Sequence, residues 1–154
     1  MALTHVDDKG NAHMVDVGGK DVTQRSATAS AIVRTTAAAE IASDNVRKGD
    51  VCAVARIAGI MAAKRCPDLI PLAHPMSLTS VSVDVTPEPE SAQVRIEATV
   101  STRDRTGVEM EALTAVSVAG LTVIDMIKAI DRRAAMTDVQ VERKSGGASG
   151  DFRR

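Results

Sequence analysis

Charged residues flank a long uncharged segment in the last third of the chain. Glu109 and Glu111 precede it, thirteen uncharged residues follow, and Asp125 and Lys128 come after them. If the segment is one helix, Glu111 and Asp125 lie about 40° apart around its axis but about 21 Å apart along it. One compact site within a single chain cannot easily use both carboxylates. The alternative interpretation is that the acids and the lysine only stabilise the two ends of the helix dipole.

The acid and the lysine at the end of this segment have a spacing that permits two interpretations. Asp125 and Lys128 are three residues apart, which makes them neighbours on a helix face. An exposed ion pair of this kind contributes little to stability. Beside an apolar segment, however, the lysine can lower the pKa of the acid, and the two groups can share proton transfer. The spacing alone does not decide between the two.

One histidine lies in a segment that is rich in proline. His74 stands between Ala73 and Pro75 in the stretch 67–75, which contains three prolines. The stretch predicts a stiff, extended loop, because each proline fixes one backbone angle and restricts the residue before it. Imidazole titrates near neutral pH, so His74 is a candidate for acid–base or substrate contacts. A structural or solvated histidine is the alternative.

Basic residues stand at the ends of predicted elements, where side chains from different elements can converge. They are Lys48, Lys64, Arg65, Lys128 and Lys144. The segment 145–150 after the last of them is rich in glycine and serine, and its backbone N–H groups can face an anion. It lacks the pattern and the following helix of a P-loop, and a flexible polar tail is the alternative. Together with the histidine and the carboxylates, these groups suit acid–base chemistry on a polyphosphate without a redox cofactor.

Composition excludes several classes of function. The 154 residues carry 19 basic and 20 acidic groups, a net charge of -1, and Phe152 is the one aromatic residue. A basic stripe and stacking aromatics, which nucleic-acid binding favours, are both missing. No cysteine or histidine pair has zinc-ligand spacing, so we expect no metal site.

The cysteines and the hydropathy pattern predict where the protein works. Cys52 and Cys66 follow no apolar leader, which favours free thiols in the cytoplasm. The uncharged run of 13 residues is shorter than the about 20 that cross a bilayer, so we expect no membrane insertion.

Hydrophobic patterns predict one domain over 1–154, with a flexible arm over 1–12 and a Gly/Ser-rich tail over 145–154. Alternating residues predict strands over 25–36, 78–85, 94–100 and 139–141. Helical spacing predicts helices over 37–46, from the Asp50 cap to Pro67, and over 107–133. The order is βαββαβ, an α+β fold of the ferredoxin-like type, with an antiparallel sheet and helices packed on one face.

The last predicted helix carries more apolar surface than one sheet face can cover. The helix after Asp50 has Val51, Val54, Ile57, Ala58 and Met61 on one side, and the helix over 107–133 is apolar all round between its charged ends. A helix without a polar face is buried on both sides. We therefore expect a homo-oligomer in which the helix over 107–133 contacts another subunit.

The chain resembles the cyclic pyranopterin monophosphate synthase family almost from end to end. The motifs that carry the resemblance are 13–17 (HMVDV), 48–51 (KGDV), 55–60 (ARIAGI), 62–65 (AAKR), 68–75 (DLIPLAHP), 106–114 (TGVEMEALT), 144–147 (KSGG) and 149–152 (SGDF). Ala73 stands where many relatives have cysteine, which implies that a thiol there is dispensable.

The resemblance implies a reaction and an assembly. It implies a ferredoxin-like subunit in a hexamer built as a trimer of dimers, with active sites at the dimer interfaces. The substrate is 3′,8-cyclo-7,8-dihydroguanosine 5′-triphosphate, which a radical S-adenosylmethionine enzyme supplies. The products of this lyase, which acts early in molybdenum cofactor biosynthesis, are cyclic pyranopterin monophosphate and pyrophosphate.

The resemblance also implies roles for individual residues. Asp125, Lys128 and Lys48 are the catalytic residues. The substrate-binding residues are Leu72, Ala73, His74, Met110, Glu111, Lys64, Lys144 and Arg25, the last three of them as phosphate contacts. No resident cofactor is implied, and any Mg²⁺ would travel with the substrate's phosphates. A nonenzymatic nucleotide-sensing module on the same scaffold is the alternative, because a fold does not fix a function.

Overall fold

The computed structural model describes residues 5–154, which form one antiparallel sheet and a layer of helices. The strands are β1 (Thr23–Arg34), β2 (Leu78–Glu88), β3 (Gln93–Asp104), β4 (Ala135–Ser145) and β5 (Phe152–Arg153). The helices are α1 (Ala38–Ala42), α2 (Val51–Lys64), α3 (Cys66–Leu69) and α4 (Glu109–Ile127). The strand order across the sheet is β2-β3-β1-β4-β5, and every pairing is antiparallel.

The ferredoxin-like prediction is confirmed by this order. The first four strands and the helices α2 and α4 form the βαββαβ unit, with α2 and α4 on the same face of the sheet. The inward face of β3 is Val94, Ile96, Ala98 and Val100, all fully buried. Their alternation with exposed polar residues is the pattern of a strand with one covered face. It is this pattern that fixes which face the helices cover.

A close contact between α2 and α4 forms the middle of the helical layer. A Cβ built on Gly59 would stand 3.0 Å from the carbonyl oxygen of Ala115 and 3.3 Å from the Cβ of Ala119. The absence of a side chain therefore lets the two backbones approach. The Asp50 carboxylate begins α2 as predicted by accepting from the N–H of Ala53 at 2.9 Å.

The side of α2 that faces the core is made of its smallest residues. Val54, Ile57 and Met61 do share one side, but that side is exposed. Val51 is buried, and the other core-facing positions are Ala55, Gly59, Ala62 and Ala63. Small residues face inward because the space between α2 and α4 leaves no room for longer ones. An apolar stripe, which is Val54, Ile57 and Met61, is left on the surface of the single chain.

Most element boundaries differ from the sequence predictions by a few residues, and four differences are larger or change the type of element. The first predicted helix, 37–46, contracts to α1, and the last, 107–133, ends at Ile127. The predicted strand 139–141 is the centre of the longer β4, which pairs with β1 along its length. The first part of the predicted extended loop 67–75 is instead the helix α3, because proline is well tolerated in a first helical turn.

Both ends of the described chain contain more local structure than a flexible arm and a Gly/Ser-rich tail would have. Of the predicted arm, residues 1–4 lie outside the described residues. The next segment forms a turn in which the Asp7 carboxylate accepts from the N–H groups of Lys9 and Asn11, and Val6 pairs with Ala12. In the predicted tail, β5 pairs with β4 at Lys144 and Arg143.

The length and hydropathy of α4 are those of a helix that could cross a membrane. The helix is 19 residues long, and its mean hydropathy over a window of 18 residues is 1.6. More than half of it, 56%, is nevertheless buried inside the protein. Because it packs against the sheet and beside α2, α4 has the surroundings of a core helix of a globular domain.

Candidate active site

Three charged side chains meet at the C-terminal end of α4. Lys128 Nζ donates to Asp125 Oδ1 at 2.6 Å, and Lys48 Nζ donates to Asp125 Oδ2 at 3.2 Å. Lys48 also donates to the backbone oxygen of Asp125 at 2.7 Å. Lys48 belongs to the loop before α2, where Gly49 has a φ of 107° that favours glycine. The fold thus brings together the three residues that the resemblance implies as catalytic.

Both lysines act on the acidity of Asp125. The hydrogen bond from Lys128 and then that from Lys48 hold the pKa of the Asp125 carboxyl below its usual range. The carboxylate is therefore ionised at neutral pH and lies between the two lysine side chains. All three side chains are about half exposed, so substrate can reach the cluster. The arrangement can accept, donate or relay a proton, and its net positive charge attracts an anion.

A cavity of about 370 Å³ opens at the other end of α4. Its wall includes five of the predicted substrate-binding residues, Leu72, Ala73, His74, Met110 and Glu111. His74 Nε2 lies 2.6 Å from the Val15 carbonyl oxygen. Since a carbonyl can only accept, Nε2 carries a proton and donates it. In the neutral ring, Nδ1 is then the nitrogen left to accept a hydrogen bond from a ligand, whereas in the charged ring both nitrogens donate.

Glu111 is a buried acid in the wall of this cavity. Glu111 lies in the first turn of α4 and is only 3% exposed. Burial raises the pKa of the Glu111 carboxyl, while its own backbone N–H, the Cys66 thiol and the charge of His74 act in the opposite direction. A buried carboxyl of raised pKa can hold a proton closer to neutral pH than an exposed one. Glu111 is thus suited to hydrogen-bond or protonate a polar ring.

A second cavity, of about 440 Å³, adjoins the first and is more basic. The two share wall residues at Lys20 and Glu109, and the second adds Arg25 and Lys144. Lys144 Nζ lies 2.9 Å from Glu109 and donates to Ser149 at 3.1 Å. Three cationic side chains from three different segments therefore surround one open space, as an oligophosphate requires.

The glycines after β4 pack directly on Arg25. Gly146 and Gly147 have φ values of 88° and 84°. A Cβ on Gly146 would collide with the Gln24 carbonyl oxygen, and one on Gly147 would collide with the Arg25 guanidinium. Arg25 Nε donates to the Asp104 carbonyl oxygen at 3.0 Å. The segment that the sequence left open between an anion-facing loop and a tail is thus ordered against the second cavity.

The predicted site residues fall into three places. Asp125, Lys128 and Lys48 form the acid–base cluster. The other residues line the two adjoining cavities, except Lys64, which lines a separate groove with Leu78 and Met76 beside the first cavity. The cluster and the cavities stand at opposite ends of α4, about 21 Å apart along the helix. A single chain therefore does not bring the cluster and the cavities together.

Sequence reasoning missed several residues of the cavity walls. They are Val15, Val17, Lys20, Thr106 and Glu109. Four of them lie within quoted motifs, 13–17 and 106–114, so the motif itself is the signal that could have found them. Lys20 has no such signal, because only the folded loop brings it beside Glu109 and Lys144.

A metal-binding cluster does not occur between residues 5 and 154. No three His, Cys, Asp or Glu side chains in this part of the chain lie in positions to hold an ion together. The free thiols Cys52 and Cys66 are partly and fully buried.

Comparison with known proteins identifies the family. The family model described as the MoaC family matches residues 14–147, which include every residue of the cluster and the predicted cavity residues. The chain belongs to the MoaC family. A curated relative from Nocardioides sp. is 61% identical over 99% of this chain and 95% of its own length, and it is called cyclic pyranopterin monophosphate synthase.

Further relatives of the MoaC family bear the same name. The protein of Streptomyces coelicolor is 58% identical over 99% of this chain and 89% of its own length. That of Roseiflexus sp. is 58% identical over 97% of this chain and 96% of its own length. The similarity covers the arm, both cavities, the cluster and β4, and so is not confined to one motif.

Proposed function

We propose that this chain is a cyclic pyranopterin monophosphate synthase. It converts 3′,8-cyclo-7,8-dihydroguanosine 5′-triphosphate to cyclic pyranopterin monophosphate and pyrophosphate, a step in molybdenum cofactor biosynthesis. The observation that carries the proposal is the MoaC family match, which spans the acid–base cluster and most of the residues that line both cavities. Relatives at 54–61% identity over nearly the whole chain bear the enzyme's name.

The cluster at the end of α4 supplies the proton transfers. Asp125 stays ionised between Lys48 and Lys128, so it can take a proton from the substrate while either lysine gives one. Opening the purine ring and closing the pterin ring both need such transfers. The lysines also place positive charge where negative charge develops.

The cavities at the other end of α4 bind the substrate. His74, Glu111 and Met110, with Leu72 and Ala73, contact the ring system in the first cavity. Arg25 and Lys144 bind the triphosphate in the second. When the cyclic phosphate forms, the bond from the α-phosphorus to pyrophosphate breaks, and these cations stabilise the leaving group. Lys64 lies in a groove of its own. It contacts the phosphates when a movement of residues 72–78, or a second subunit, places the substrate in that groove.

The active enzyme is a homo-oligomer, a hexamer built from three dimers. The cluster of one subunit completes the cavities of another, because the two lie about 21 Å apart within one chain. The apolar stripe on α2 supports this assembly, since Val54, Ile57 and Met61 are 44%, 59% and 49% exposed and contiguous exposed apolar residues mark an interaction surface.

The enzyme works in the cytoplasm on substrate from a radical S-adenosylmethionine partner. It holds no resident cofactor, and any Mg²⁺ arrives with the phosphates of the nucleotide. The near-balanced charge of the chain fits a small-molecule substrate that is bound at a local cationic site.

A direct assay tests the proposal. The purified oligomer is incubated with the cyclised nucleotide, and cyclic pyranopterin monophosphate and pyrophosphate are measured in parallel. We expect the two products to appear in equal amounts. If the folded oligomer binds the nucleotide and releases neither product, the nucleotide-sensing alternative replaces the enzyme.

A further inference from the structure

Residues 5–13 form a small hairpin beside the first cavity. The N–H of His13 donates to the His5 carbonyl oxygen at 3.1 Å. The Asp7 carboxylate closes the turn by accepting from two backbone N–H groups at 2.9 and 2.8 Å. Gly10, whose φ of 82° favours glycine, donates its N–H to the Asp7 carbonyl oxygen at 2.9 Å. The hairpin therefore has a defined conformation of its own.

The hairpin adds no side chain to the hydrophobic core of the described chain. Residues 5–14 are all exposed, and the residues of the core cluster come from other segments. Core packing therefore does not explain why this segment is folded. Surface segments that are held in one conformation by the rest of a domain often carry binding residues, so the position of the hairpin beside a cavity points to a task there.

The segment after the hairpin attaches it to the cavity wall. Val15 and Val17 are half-buried and line the first cavity, and the Val15 carbonyl oxygen accepts from His74 Nε2 at 2.6 Å. The hydrogen bond between His5 and His13 folds the start of the hairpin back towards this segment, and His5 also lines the first cavity. His13 is not among the described residues that line it. The two sides of the hairpin therefore differ in their access to the cavity.

Two of the three histidines in the chain thus line one cavity, from segments that are far apart in the sequence. A neutral imidazole donates through one ring nitrogen and accepts through the other. In His74 the donor is already engaged with Val15, so His5 adds a second polar contact. The ring system of the proposed substrate carries N–H donors and carbonyl acceptors along its edges. A few polar groups placed around such a ring fix its orientation in a pocket.

We propose that His5 is a further substrate-contacting residue, which the hairpin holds against the ring system in the first cavity. The proposal rests on the proposed function, since the ring system is that of the cyclised nucleotide. His5 binds and orients the substrate, and the proton transfers remain with the cluster at the other end of α4. Loss of His5 should therefore act on KM more than on kcat.

The two histidines of the hairpin provide a matched pair of variants. We expect His5→Ala to raise KM about threefold to tenfold, as loss of one hydrogen bond does, and to change kcat by less than about twofold. His13→Ala makes the same substitution at the residue bonded to His5 across the hairpin. Its KM should stay within about twofold of wild type. Equal KM values for the two variants would overturn the proposal.

The turn of the hairpin offers a second pair. Asp7→Ala removes the carboxylate that accepts from two backbone N–H groups, so the hairpin should loosen and KM should rise in the same direction as in His5→Ala. Asp8→Ala removes the same charge from the next exposed residue and should leave KM unchanged. If Asp7→Ala and Asp8→Ala give the same KM, the hairpin does not hold His5 in place and the proposal fails.

An NMR spectrum of the imidazoles gives a readout that needs no turnover. The chain has three histidines, so protein labelled with ¹³C at histidine gives three ring signals, which His5→Ala and His13→Ala assign. The cyclised nucleotide is added to labelled Asp125→Asn oligomers, which bind it without converting it. We expect the signals of His5 and His74 to shift together until the site is saturated, and the signal of His13 to keep its position.

The outcomes distinguish this proposal from the proposed function. If the His74 signal shifts and the His5 signal does not, the contact with His5 is overturned while the substrate cavity stands. If neither signal shifts, the nucleotide does not occupy the first cavity, and both the substrate site and the contact are overturned. If both signals shift but the wild-type oligomer forms no product, the contact with His5 stands and the proposed reaction fails.

Discussion

Asp125 depends on its two neighbours more than on burial. It accepts from Lys128 and Lys48 on separate oxygens, and the two contacts lower the pKa of its carboxyl while water still reaches it. An exposed ion pair adds little to stability. Because the cluster contributes little to stability and is accessible to a ligand, a role in proton transfer explains its presence better than a role in folding.

Asp125→Asn should remove this chemistry without unfolding the chain. The amide can neither take up a proton nor bind both amines as an anion, so we expect kcat to fall by about 10² to 10⁴. Steady-state kinetics measure the loss. Asp138→Asn is the matched control, because Asp138 is also an exposed acid near a basic side chain, Arg34 at 3.9 Å, but lies on β4 outside the cluster. Comparable loss in both variants would contradict the assignment.

Glu111 should make the free energy of unfolding fall as pH rises, which is the opposite of what an acid with a lowered pKa does. Burial raises the pKa of its carboxyl above the ordinary value of 4.5. The folded state therefore binds a proton that the unfolded state releases, and stability is lost as pH rises from that value through the raised one. Glu111→Gln lacks this loss. The difference in free energy of unfolding between Glu111→Gln and wild type, measured in urea at fixed protein concentration, should therefore increase with pH. A constant difference would contradict burial of the acid.

At the scale of elements, local sequence patterns predicted most of the fold. The hairpin of β2 and β3 and the order βαββαβ follow from alternation and helical spacing, because each element has one face against a shared core. Patterning could not assign the buried side of α2. Its larger residues share a side, but only the space left beside α4 decides that Ala55 and Gly59, and not Ile57, face inward.

Gly59→Ala tests the close approach of α2 and α4. The new methyl group would press on the Ala115 carbonyl oxygen and on Val83. Overpacking of this kind costs about 1–3 kcal/mol, more than the about 1 kcal/mol that alanine contributes in a helix. Gly120→Ala is the control, since its methyl group meets mainly the flexible Met136 side chain. Thermal unfolding should rank Gly59→Ala clearly below wild type and Gly120→Ala near it; equal values would contradict the packing.

The segment after β4 provides a second comparison between glycines. Gly147→Ala places a methyl group on the Arg25 guanidinium, whereas Gly150→Ala, at a similar φ of 71°, meets no atom within 4 Å. Both variants carry backbone strain, but only the first disturbs the wall of the second cavity. We expect KM to rise about tenfold for Gly147→Ala beyond any change in Gly150→Ala, as loss of a charge-assisted contact does. Equal KM values would separate Arg25 from substrate binding.

For the whole molecule, α4 determines both what one chain can do and what it cannot. It holds Glu111 at the first cavity and Asp125 at the cluster, and its length keeps them apart. The sequence already predicted this separation, because the spacing of charged residues on a helix fixes their distance. It could not predict that Lys20 and Glu109 would join the two cavities or that Lys64 would stand in a groove of its own, since loops decide both.

In the proposed oligomer, the cluster of one subunit and the cavities of another form one active site, and mixed oligomers test this directly. Asp125→Asn oligomers keep intact cavities, and oligomers with both His74→Ala and Lys144→Ala keep an intact cluster. The two inactive chains, with different tags, are co-expressed and the mixed oligomers are purified. If each site takes its cavities from one chain and its cluster from another, random mixing should restore about a quarter of wild-type activity. Mixed oligomers as inactive as either parent would contradict the account.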